Sequence, residues 1–376
     1  MNIEINIGEI EKSRVFGLDL LRAYAILCVV YAHGYGYIKD SISEYAYNLP
    51  ITDGVTLFFV LSGFLIGRIL LKAISHEKFS LRLLINFWLR RWFRTLPSYF
   101  LVLIFLIFAW RYKVGPLPNG WLDYFCFCQN FMSPQIDFFS ESWSLSGEEW
   151  FYFIVPLLLF FLLGYVKISD KKAAFMVIAI LIIFVTLIRW YHSYKFGYSD
   201  INSWDANLRK LVVTRMDSIM YGVFGAFLSL YHASLWKRYS LRLLLIGVLI
   251  FVIGKYYAEP TDRIYLNYFY LTITPIATLM LLPALSEMRV QGGIFIRLIT
   301  FISVISYSMY LLNLSPVQGS ILPFVVDLGS ALFGQQLFKS GYAMYTLYWG
   351  LTLFLSFLLT SFFERPITSL RDRFTT

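Results

Sequence analysis

The sequence contains few charged residues. Asp, Glu, Lys and Arg together make up 15% of the 376 positions, where about 25% is usual in a soluble domain. So little charge cannot cover a folded core in water, which argues against a water-soluble enzyme. Hydrophobic residues reach 58%, against roughly 45–50% in an ordinary globular chain, and this excess excludes a disordered chain. The composition therefore indicates a polytopic membrane protein.

Cysteine is scarce, and a secretion signal is lacking. Cys28, Cys126 and Cys128 have apolar neighbours and make no metal-ligand set with histidine. We therefore predict buried thiols, no metal site and no disulfide framework. The N-terminus carries Glu4 and Glu9 and lacks the basic, apolar and small-residue regions of a cleaved signal peptide. We expect the first apolar segment to remain as a membrane anchor.

Apolar stretches long enough to cross a bilayer recur along the chain, since a hydrocarbon core of about 30 Å takes about 20 residues of helix. They run continuously and do not alternate, which predicts helices and not a β-barrel. They are 16–37, 54–74, 96–114, 146–166, 173–191, 212–232, 242–257, 265–285, 297–316 and 341–363. Two more apolar segments, 119–133 and 317–340, receive no assigned span. We predict an all-α polytopic membrane protein with about ten transmembrane helices in one bundle, a single domain over residues 1–376 with no appended soluble domain.

Lysine and arginine give the orientation, because cytoplasmic loops are enriched in them. With the N-terminus inside, roughly two thirds of the 32 basic residues fall on the inner side of these spans. Residues 115–142 contain neither Lys nor Arg, which favours an outer loop. Both termini are therefore expected in the cytoplasm. The net charge of +9 is attributed to the inner loops and not to a nucleic-acid partner.

The first predicted span contains Asp19, Arg22 and His33, and ionisable groups inside a span cost about 2.5–3.5 kcal/mol each on insertion scales. Asp19 and Arg22 are three residues apart and are predicted to pair. Arg22 and His33 lie on nearly the same helix face, about 16 Å apart along the axis. A lone histidine is more often a satisfied or interfacial residue, but the aligned Arg22 favours a function for His33.

Other polar residues lie where later spans reach the outer side. Glu148 and Glu149 begin the fourth span, Arg215 and Asp217 begin the sixth, and Asn313 ends the ninth. Acids favoured by a helix dipole and a local Arg215–Asp217 ion pair are the structural alternatives. We predict that one buried polar cavity in the outer half of the bilayer holds His33, Glu148, Arg215, Asp217 and Asn313. Such a cavity would combine a proton-accepting imidazole, an acid and hydrogen-bond donors.

A second polar centre is predicted on the inner face. Arg90, Arg91 and Arg94 follow one another closely, with aromatic residues between them, and Pro97 is expected in the first turn of the next span. Contact with anionic lipid head groups is the commonest use of such a cluster. The functional alternative is a phosphate site, because guanidinium groups match phosphate oxygens. Composition alone favours the lipid anchor.

These segments, in this order, resemble the acyltransferase-3 family of integral-membrane O-acyltransferases, and the resemblance covers most of the chain. Its motifs are Leu18-Asp19 with Arg22 and His33, residues 54–66, Arg90-Arg91 with Arg94 and Pro97, and residues 143–152, with weaker similarity at 215–222, 306–311 and 364–366. Three residues depart from the family pattern. Thr56 stands where the family often has an acid, Asn313 where many members carry His, and Thr95 replaces a usual aliphatic residue.

The resemblance implies transfer of an acyl group, usually acetyl, from cytoplasmic acyl-CoA to a hydroxyl of a carbohydrate or glycolipid, often a surface polysaccharide, in the bacterial cytoplasmic (inner) membrane. On this basis His33 is the general base or a transient acyl carrier, and Glu148 orients its imidazole. The residues assigned to the donor are Arg22, Arg90, Arg91 and Arg94. The phosphates are expected on Arg90, Arg91 and Arg94, and the pantetheine arm along Arg22, which is also an alternative to Arg215 for stabilising the oxyanion. The residues assigned to the acceptor or the oxyanion are Ser62, Trp143, Arg215, Asp217 and Asn313.

A polysaccharide flippase, polymerase or ligase remains the alternative, since many spans with intramembrane charge also suit a transporter. Donor dependence separates the two, because only a transferase releases free thiol from acyl-CoA when an acceptor is present. The expected partners are acyl-CoA, a carbohydrate or lipid-linked glycan, and the bilayer. The attacked hydroxyl, the acyl chain and the oligomeric state are left open.

Overall fold

The computed structural model describes residues 14–40, 52–76, 80–256, 263–290, 292–334 and 340–370. Within these ranges the regular structure is helical and contains no strand. The longer helices are α1 Phe16–Gly34, α2 Gly54–His76, α3 Leu81–Lys113, α4 Ser142–Phe161, α5 Asp170–Phe196, α6 Met216–Tyr231, α7 Ser240–Tyr256, α8 Leu271–Leu285, α9 Ile294–Leu312, α10 Leu322–Phe333 and α11 Gly341–Leu359. Glu4 and Glu9, on which the anchor prediction rests, lie outside the described residues.

Segments long and apolar enough to cross a membrane number eight in the described ranges. They are Phe16–Tyr37, Gly54–Ser75, Leu81–Lys113, Ser142–Val166, Asp170–Phe196, Tyr265–Leu285, Ile294–Leu332 and Gly341–Leu370. This confirms the predicted all-α polytopic membrane class. Two further predicted spans, 212–232 and 242–257, form the shorter helices α6 and α7, of 16 and 17 residues. The total of ten spans and the cytoplasmic termini stay predictions.

Helix α3 carries the arginine cluster and is unusually long. Its 33 residues extend roughly 50 Å at about 1.5 Å per residue, well beyond a hydrocarbon core of about 30 Å. Pro97 lies inside this helix, so the prediction that Pro97 begins a separate span is wrong. One continuous helix therefore joins the arginines to the membrane-spanning part.

Helices α2 and α6 pack with their backbones in close contact. A Cβ atom at Gly63 would lie 1.9 Å from the carbonyl oxygen of Ile219, and one at Gly222 would lie 2.0 Å from that of Val60. Small residues permit such approach between membrane helices. Beside Gly63, the hydroxyl of Ser62 is directed to helix α4, where it contacts the Tyr152 hydroxyl at 2.9 Å.

The segment 119–133, left without a span, folds as a loop against the helices. It contains a short 3-10 helix, Trp121–Phe125, whose Tyr124 carbonyl accepts a 2.8 Å bond from the Tyr99 hydroxyl. Farther along, the Val212 N–H donates to the Asn130 carbonyl at 3.0 Å. These bonds fasten the loop beside the start of helix α6.

The prediction of buried thiols is right for Cys28 and wrong for Cys126 and Cys128, which are exposed. The cause lies in the residue between them. Phe127 has a φ of 56° and buries its ring in the core, so the flanking thiols face outward. Apolar neighbours along the chain indicated burial, but only Phe127 is drawn into the core.

Candidate active site

His33 lies in the last turn of helix α1, and its side chain contacts Asn313. The distance from His33 Nδ1 to Asn313 Oδ1 is 2.5 Å. Asn313 begins a π-helical segment, Asn313–Ile321, that continues helix α9. Because π-helical turns are rare and occur frequently at functional sites, the placement of Asn313 at this irregularity marks the contact as a candidate site.

The hydrogen bonds of Asn313 fix the tautomer of His33. The Asn313 amide nitrogen donates to the carbonyls of Met309 and Tyr310, both at 2.9 Å. The amide oxygen is thus the atom that faces the imidazole, and it can only accept. In a neutral imidazole one ring nitrogen donates and the other accepts. Nδ1 therefore carries the proton, and Nε2 is the basic nitrogen.

Two further side chains hold the backbone near His33. The Gln318 amide donates to the His33 carbonyl at 3.1 Å, and the Tyr348 hydroxyl donates to the Val30 carbonyl at 3.1 Å. Gln318 lies on the same π-helical segment as Asn313. One segment therefore contacts both the side chain and the backbone of the histidine.

A buried carboxylate anchors this π-helical segment. Glu141 is 1% exposed, and its Oε1 accepts a 3.1 Å bond from the backbone N–H of Ser315. Its backbone carbonyl accepts a 2.9 Å bond from the Tyr310 hydroxyl. Burial raises the pKa of Glu141 to about 8, with bonds from Ser315 acting in the opposite direction. Glu141 thereby connects the start of helix α4 to the segment that holds His33.

Closer to the N-terminus of α1, Asp19 is shared by two arginines. Arg14 Nε donates to Asp19 Oδ2 at 2.8 Å, while Arg22 Nη1 lies 3.8 Å from Asp19 Oδ1. The predicted Asp19–Arg22 pair is therefore confirmed, although Arg14 is the nearer partner. Ser303 also donates to Asp19, at 2.7 Å. Asp19 therefore takes its direct hydrogen bonds from Arg14 and Ser303, and Arg22 is its more distant ion-pair partner.

Glu148 belongs to a hydrogen-bonded group in the interior of the bundle. Its Oε2 accepts a 2.7 Å bond from the Tyr152 hydroxyl and a 3.4 Å bond from Ser62. The Arg91 guanidinium lies over the Tyr152 ring, 5.5 Å from its centroid. Glu148 is thus connected to the predicted donor side of the site.

The neighbouring carboxylate, Glu149, accepts a 2.9 Å bond from the Thr95 hydroxyl. Thr95 is one of the residues that depart from the family pattern. Its hydroxyl gives the carboxylate a partner that an aliphatic residue could not supply.

The predicted arginine cluster lies beside the hydrogen-bonded group that contains Glu148 and Glu149. Arg94 lies within range of electrostatic interaction with Arg22, Arg91 and Glu364. Glu364 accepts a 3.0 Å bond from Ser308, which holds its carboxylate beside the cluster. Arg90 is exposed. The structure therefore brings together three of the four arginines assigned to the donor, with Glu364 as an additional acid.

A third polar group lies at the start of helix α2. Asp53 is 3.1 Å from Arg209 and 3.6 Å from Arg215, and it accepts a 2.6 Å bond from the Thr56 hydroxyl. The Thr56 hydroxyl in turn accepts a 2.7 Å bond from Arg215 Nη2. Burial alone would raise the pKa of Asp53, but Arg209 and Arg215 hold it below its usual range.

Trp143 joins this third group through its ring. The Arg209 guanidinium lies 5.0 Å from the Trp143 ring centroid, and Phe59 contacts the same ring edge-on at 5.9 Å. Arg209 therefore sits between an aromatic face and Asp53. Trp143 thus lies with the group that contains Arg209 and Arg215, and its assignment to the acceptor or the oxyanion stays a prediction.

Asp217 is placed elsewhere. It pairs with Arg189 at 2.8 Å, and both side chains are fully buried. Arg189 also donates to the Thr214 carbonyl at 3.0 Å. The local Arg215–Asp217 ion pair considered from the sequence is thus replaced by a pair between helices α5 and α6. This pair fastens helices α5 and α6 together.

The five outer residues predicted to share one cavity have different direct partners in the structure. His33 and Asn313 form one group, Arg215 belongs to the Asp53 group, and Glu148 lies with the arginines. The imidazole is oriented by Asn313 and not by Glu148. Helix positions along the chain indicated a similar depth, but they do not determine which way each side chain points. The catalytic and binding roles assigned to these residues stay predictions.

Sequence reasoning also missed several residues that hold the site. Asp53, Arg209, Glu141 and Gln318 were not singled out. A signal was present for Asp53, because an acid three residues before Thr56 is one helical turn away and can replace a carboxylate there. For Glu141 and Gln318 the signal exists only in the folded chain, since both act on a segment far away in sequence.

Comparison with known proteins gives one family and several partial relatives. A family model described as an acyltransferase domain matches residues 15–365. Peptidoglycan O-acetyltransferase OatA of Listeria monocytogenes is 30% identical over 172 residues, which is 42% of this chain and 26% of that protein. The putative peptidoglycan O-acetyltransferase YrhL of Bacillus subtilis is 30% identical over 190 residues, 44% of this chain and 27% of that protein. O-acetyltransferase OatA of Staphylococcus aureus is 29% identical over 163 residues, 39% of this chain and 25% of that protein.

These matches span about a quarter of the length of each relative. No solved structure matches the chain. The family match, in contrast, extends from the start of helix α1 to the residue after Glu364 and includes all three polar groups. The chain therefore belongs to the acyltransferase-3 family, and its described helices make it an integral membrane protein.

Proposed function

We propose that this protein is a membrane O-acetyltransferase that moves an acetyl group from cytoplasmic acetyl-CoA to a hydroxyl of a carbohydrate or lipid-linked glycan at the outer side of the bacterial cytoplasmic membrane. The observation that carries the proposal is the contact of His33 Nδ1 with Asn313 Oδ1 at 2.5 Å, which leaves Nε2 as a base. The relatives named as peptidoglycan O-acetyltransferases support acetyl as the acyl group and a glycan as the acceptor.

The proposed chemical step is direct transfer. The acceptor hydroxyl oxygen attacks the thioester carbonyl carbon while His33 Nε2 takes the hydroxyl proton. The carbon–sulfur bond then breaks, an ester carbon–oxygen bond remains, and the imidazolium returns the proton to the departing thiolate. Asn313 stabilises the imidazolium by accepting from Nδ1–H throughout. A covalent route, in which Nε2 is acetylated first, uses the same tautomer and is distinguished by trapping an acetylated enzyme without acceptor.

The donor is proposed to enter from the arginine side. Arg22, Arg91 and Arg94 would bind the phosphates of acetyl-CoA, because guanidinium groups match phosphate oxygens. Arg22 and His33 lie on one face of helix α1, about 16 Å apart along the axis. The long pantetheine arm would cover this distance and deliver the thioester to His33. Glu148 then acts at the donor end, where it holds the Tyr152 hydroxyl beneath Arg91.

The rival function is movement of a glycan without acyl transfer, by a flippase, polymerase or ligase. The experiment uses the purified full chain in nanodiscs with acetyl-CoA and a soluble oligosaccharide of N-acetylglucosamine, and it measures free thiol and acetylated glycan. His33→Ala should reduce both by a factor on the order of 10²–10⁴. His192→Ala is the matched control, since His192 lies on helix α5 beside Phe196 and should retain activity.

Full thiol release by His33→Ala would refute the assignment of the base. If the parent protein released no thiol with any glycan, while proteoliposomes containing it moved a labelled lipid-linked glycan across the bilayer, the rival function would stand.

A further inference from the structure

A cavity of about 300 Å³ lies between the end of helix α3, the loop before helix α4 and the π-helical segment after helix α9. Its volume is at the lower end of the range for small-molecule sites. Its lining includes Trp110, Asp137, Phe138 and Gln318. Of these four residues, only Gln318 contacts a residue assigned to the reaction, through the His33 carbonyl. The transfer step proposed above does not use this cavity.

The cavity is connected to the base through one short segment. Leu314, Ser315 and Gln318 line it, and they follow Asn313 on the same π-helical segment. The Gln318 amide donates to the His33 carbonyl at 3.1 Å. A ligand in the cavity would therefore rest on the segment that also holds the imidazole, on the backbone side of His33.

The lining combines aromatic faces with polar side chains. Trp110 donates its indole N–H to the Pro116 carbonyl at 3.0 Å, so only its ring remains for a ligand. Phe138 meets this ring edge-on, with centroids 5.5 Å apart. Asp137 is exposed and accepts from the Ser140 hydroxyl. An apolar ring face beside a carboxylate and an amide suits a ligand with both C–H faces and hydroxyl groups.

The charge of the cavity argues against a phosphate ligand. Its basic residue, Lys113, already donates to the carbonyls of Gly319 and Ser320, at 3.2 and 3.1 Å. The exposed carboxylate of Asp137 would repel an anion. A neutral polyhydroxyl ligand needs no cation and is not repelled by Asp137. Its hydroxyl groups can accept from Gln318 and donate to Asp137.

We infer that this cavity is an acceptor subsite that binds one neutral glycosyl unit of the glycan, next to the unit whose hydroxyl is acetylated. The inference rests on the proposed function, since it names a binding site for the same acceptor. Trp110 stacks on the sugar ring, Asp137 and Gln318 bind its hydroxyl groups, and the subsite fixes the position of the neighbouring unit at His33.

The binding test needs no donor and no turnover. Cys126 and Cys128, which are exposed, are replaced by Ser, and Val114→Cys is introduced for labelling with a membrane-impermeant maleimide, because Val114 lines the cavity, is exposed and has no assigned contact with the sugar. Tetra-N-acetylchitotetraose should slow the labelling at this position. It should leave labelling unchanged in a matched Asp123→Cys variant, because Asp123 is an exposed residue of the same loop outside the cavity lining.

The kinetic test separates the acceptor from the donor. Trp110→Ala and Asp137→Asn should each raise the acceptor KM about tenfold or more and leave the acetyl-CoA KM unchanged. Trp190→Ala is the matched control, because Trp190 also donates its indole N–H to a backbone carbonyl, that of Tyr268 at 3.0 Å. It should behave as the parent protein.

The outcomes separate the two proposals. Absence of protection at Val114→Cys, or protection by phosphatidylglycerol vesicles in place of the glycan, overturns the subsite even when acetyl transfer proceeds. An unchanged acceptor KM in Trp110→Ala also overturns it. If the parent protein releases no thiol but the glycan still slows maleimide labelling in the cavity, the proposed function is overturned and the subsite stays supported.

Discussion

The side-chain amide of Asn313 directs its oxygen at His33. Its orientation is fixed, because the amide nitrogen donates to two carbonyls of helix α9. The asparagine is thus both a helix-end cap and the partner of the imidazole. A neutral acceptor selects the Nδ1–H tautomer without adding a negative charge inside the membrane, where charge is costly. The catalytic assignment of His33 depends on this one contact.

The first prediction concerns that contact. Asn313→Ala removes the acceptor for Nδ1–H, so the imidazole is free to rotate and to adopt the other tautomer. We expect kcat for acetyl transfer to fall at least about tenfold, within the 10²–10⁴ limit set by loss of the base itself, with little change in the acetyl-CoA KM. Steady-state thiol release in nanodiscs provides the measurement.

Asn207→Ala is the control, because the Asn207 amide also donates to a helix carbonyl, that of Ser203 at 3.0 Å, without facing a histidine. A similar loss of kcat in both variants would point to a general structural effect. Retention of full kcat in Asn313→Ala would remove the basis for the tautomer assignment.

The second prediction tests the arginine cluster. Arg91→Ala and Arg94→Ala should each raise the acetyl-CoA KM by about tenfold to a hundredfold, the effect of losing a hydrogen bond to a charged group. The kcat at saturating donor should change much less, since these arginines lie away from the reacting carbonyl. The measurement is thiol release at varied acetyl-CoA, in nanodiscs of zwitterionic lipid.

Arg242→Ala is the matched control, because Arg242 is an exposed arginine over an aromatic ring, that of Tyr239 at 5.8 Å, and is also predicted on the inner side. If Arg91→Ala kept its donor KM but lost its dependence on anionic lipid, the cluster would be the lipid anchor that composition favoured.

The all-α class and most of the membrane helices were predictable from the sequence, because a continuous apolar run of about 20 residues has few other stable forms in lipid. The pairing of Asp19 with Arg22 was predictable for a similar reason, since helix spacing alone brings the two together. Such inferences need only the local geometry of one helix.

The arrangement of the site could not be predicted in the same way. Glu148 and His33 were placed together because both lie near the outer ends of predicted spans. Their actual partners, Tyr152 and Asn313, depend on how helices rotate about their axes. The π-helical segment at Asn313 changes that rotation in the middle of an apolar run, and no spacing rule in the sequence announces it. Side-chain direction across a bundle is decided by packing between helices.

The third prediction concerns Asp53. Asp53→Asn leaves Arg215, which is 1% exposed, without its carboxylate, and breaking a buried pair costs roughly 3–5 kcal/mol. We expect a large drop in the thermal unfolding midpoint. Asp205→Asn should cost only about 0–1 kcal/mol, because Asp205 is 28% exposed in its pairs with Arg209 and Lys210.

A second substitution should restore the lost stability. Arg215 Nη2 already lies 2.7 Å from the Thr56 hydroxyl, so Thr56→Asp in the Asp53→Asn background puts a carboxylate beside the same guanidinium. We expect recovery of most of the lost unfolding midpoint. If the double variant were no more stable than Asp53→Asn, the role of Asp53 would be something other than charge pairing.

The last prediction is a pH dependence that arises from Glu141. Burial raises its pKa in the folded protein to about 8, so the folded state binds a proton that the unfolded chain, with a glutamate pKa of about 4.3, releases. Stability from this group is complete below the unfolded pKa and is lost as pH rises towards 8, by up to about 1.4 kcal/mol per pH unit. Glu141→Gln stays neutral and should flatten the fall of the unfolding midpoint between pH 5.5 and 8.5, a window set by the cited pKa of about 8. Asp123→Asn, an exposed carboxylate of the preceding loop, should leave the slope unchanged, and an equal slope in Glu141→Gln and the parent protein would contradict the prediction.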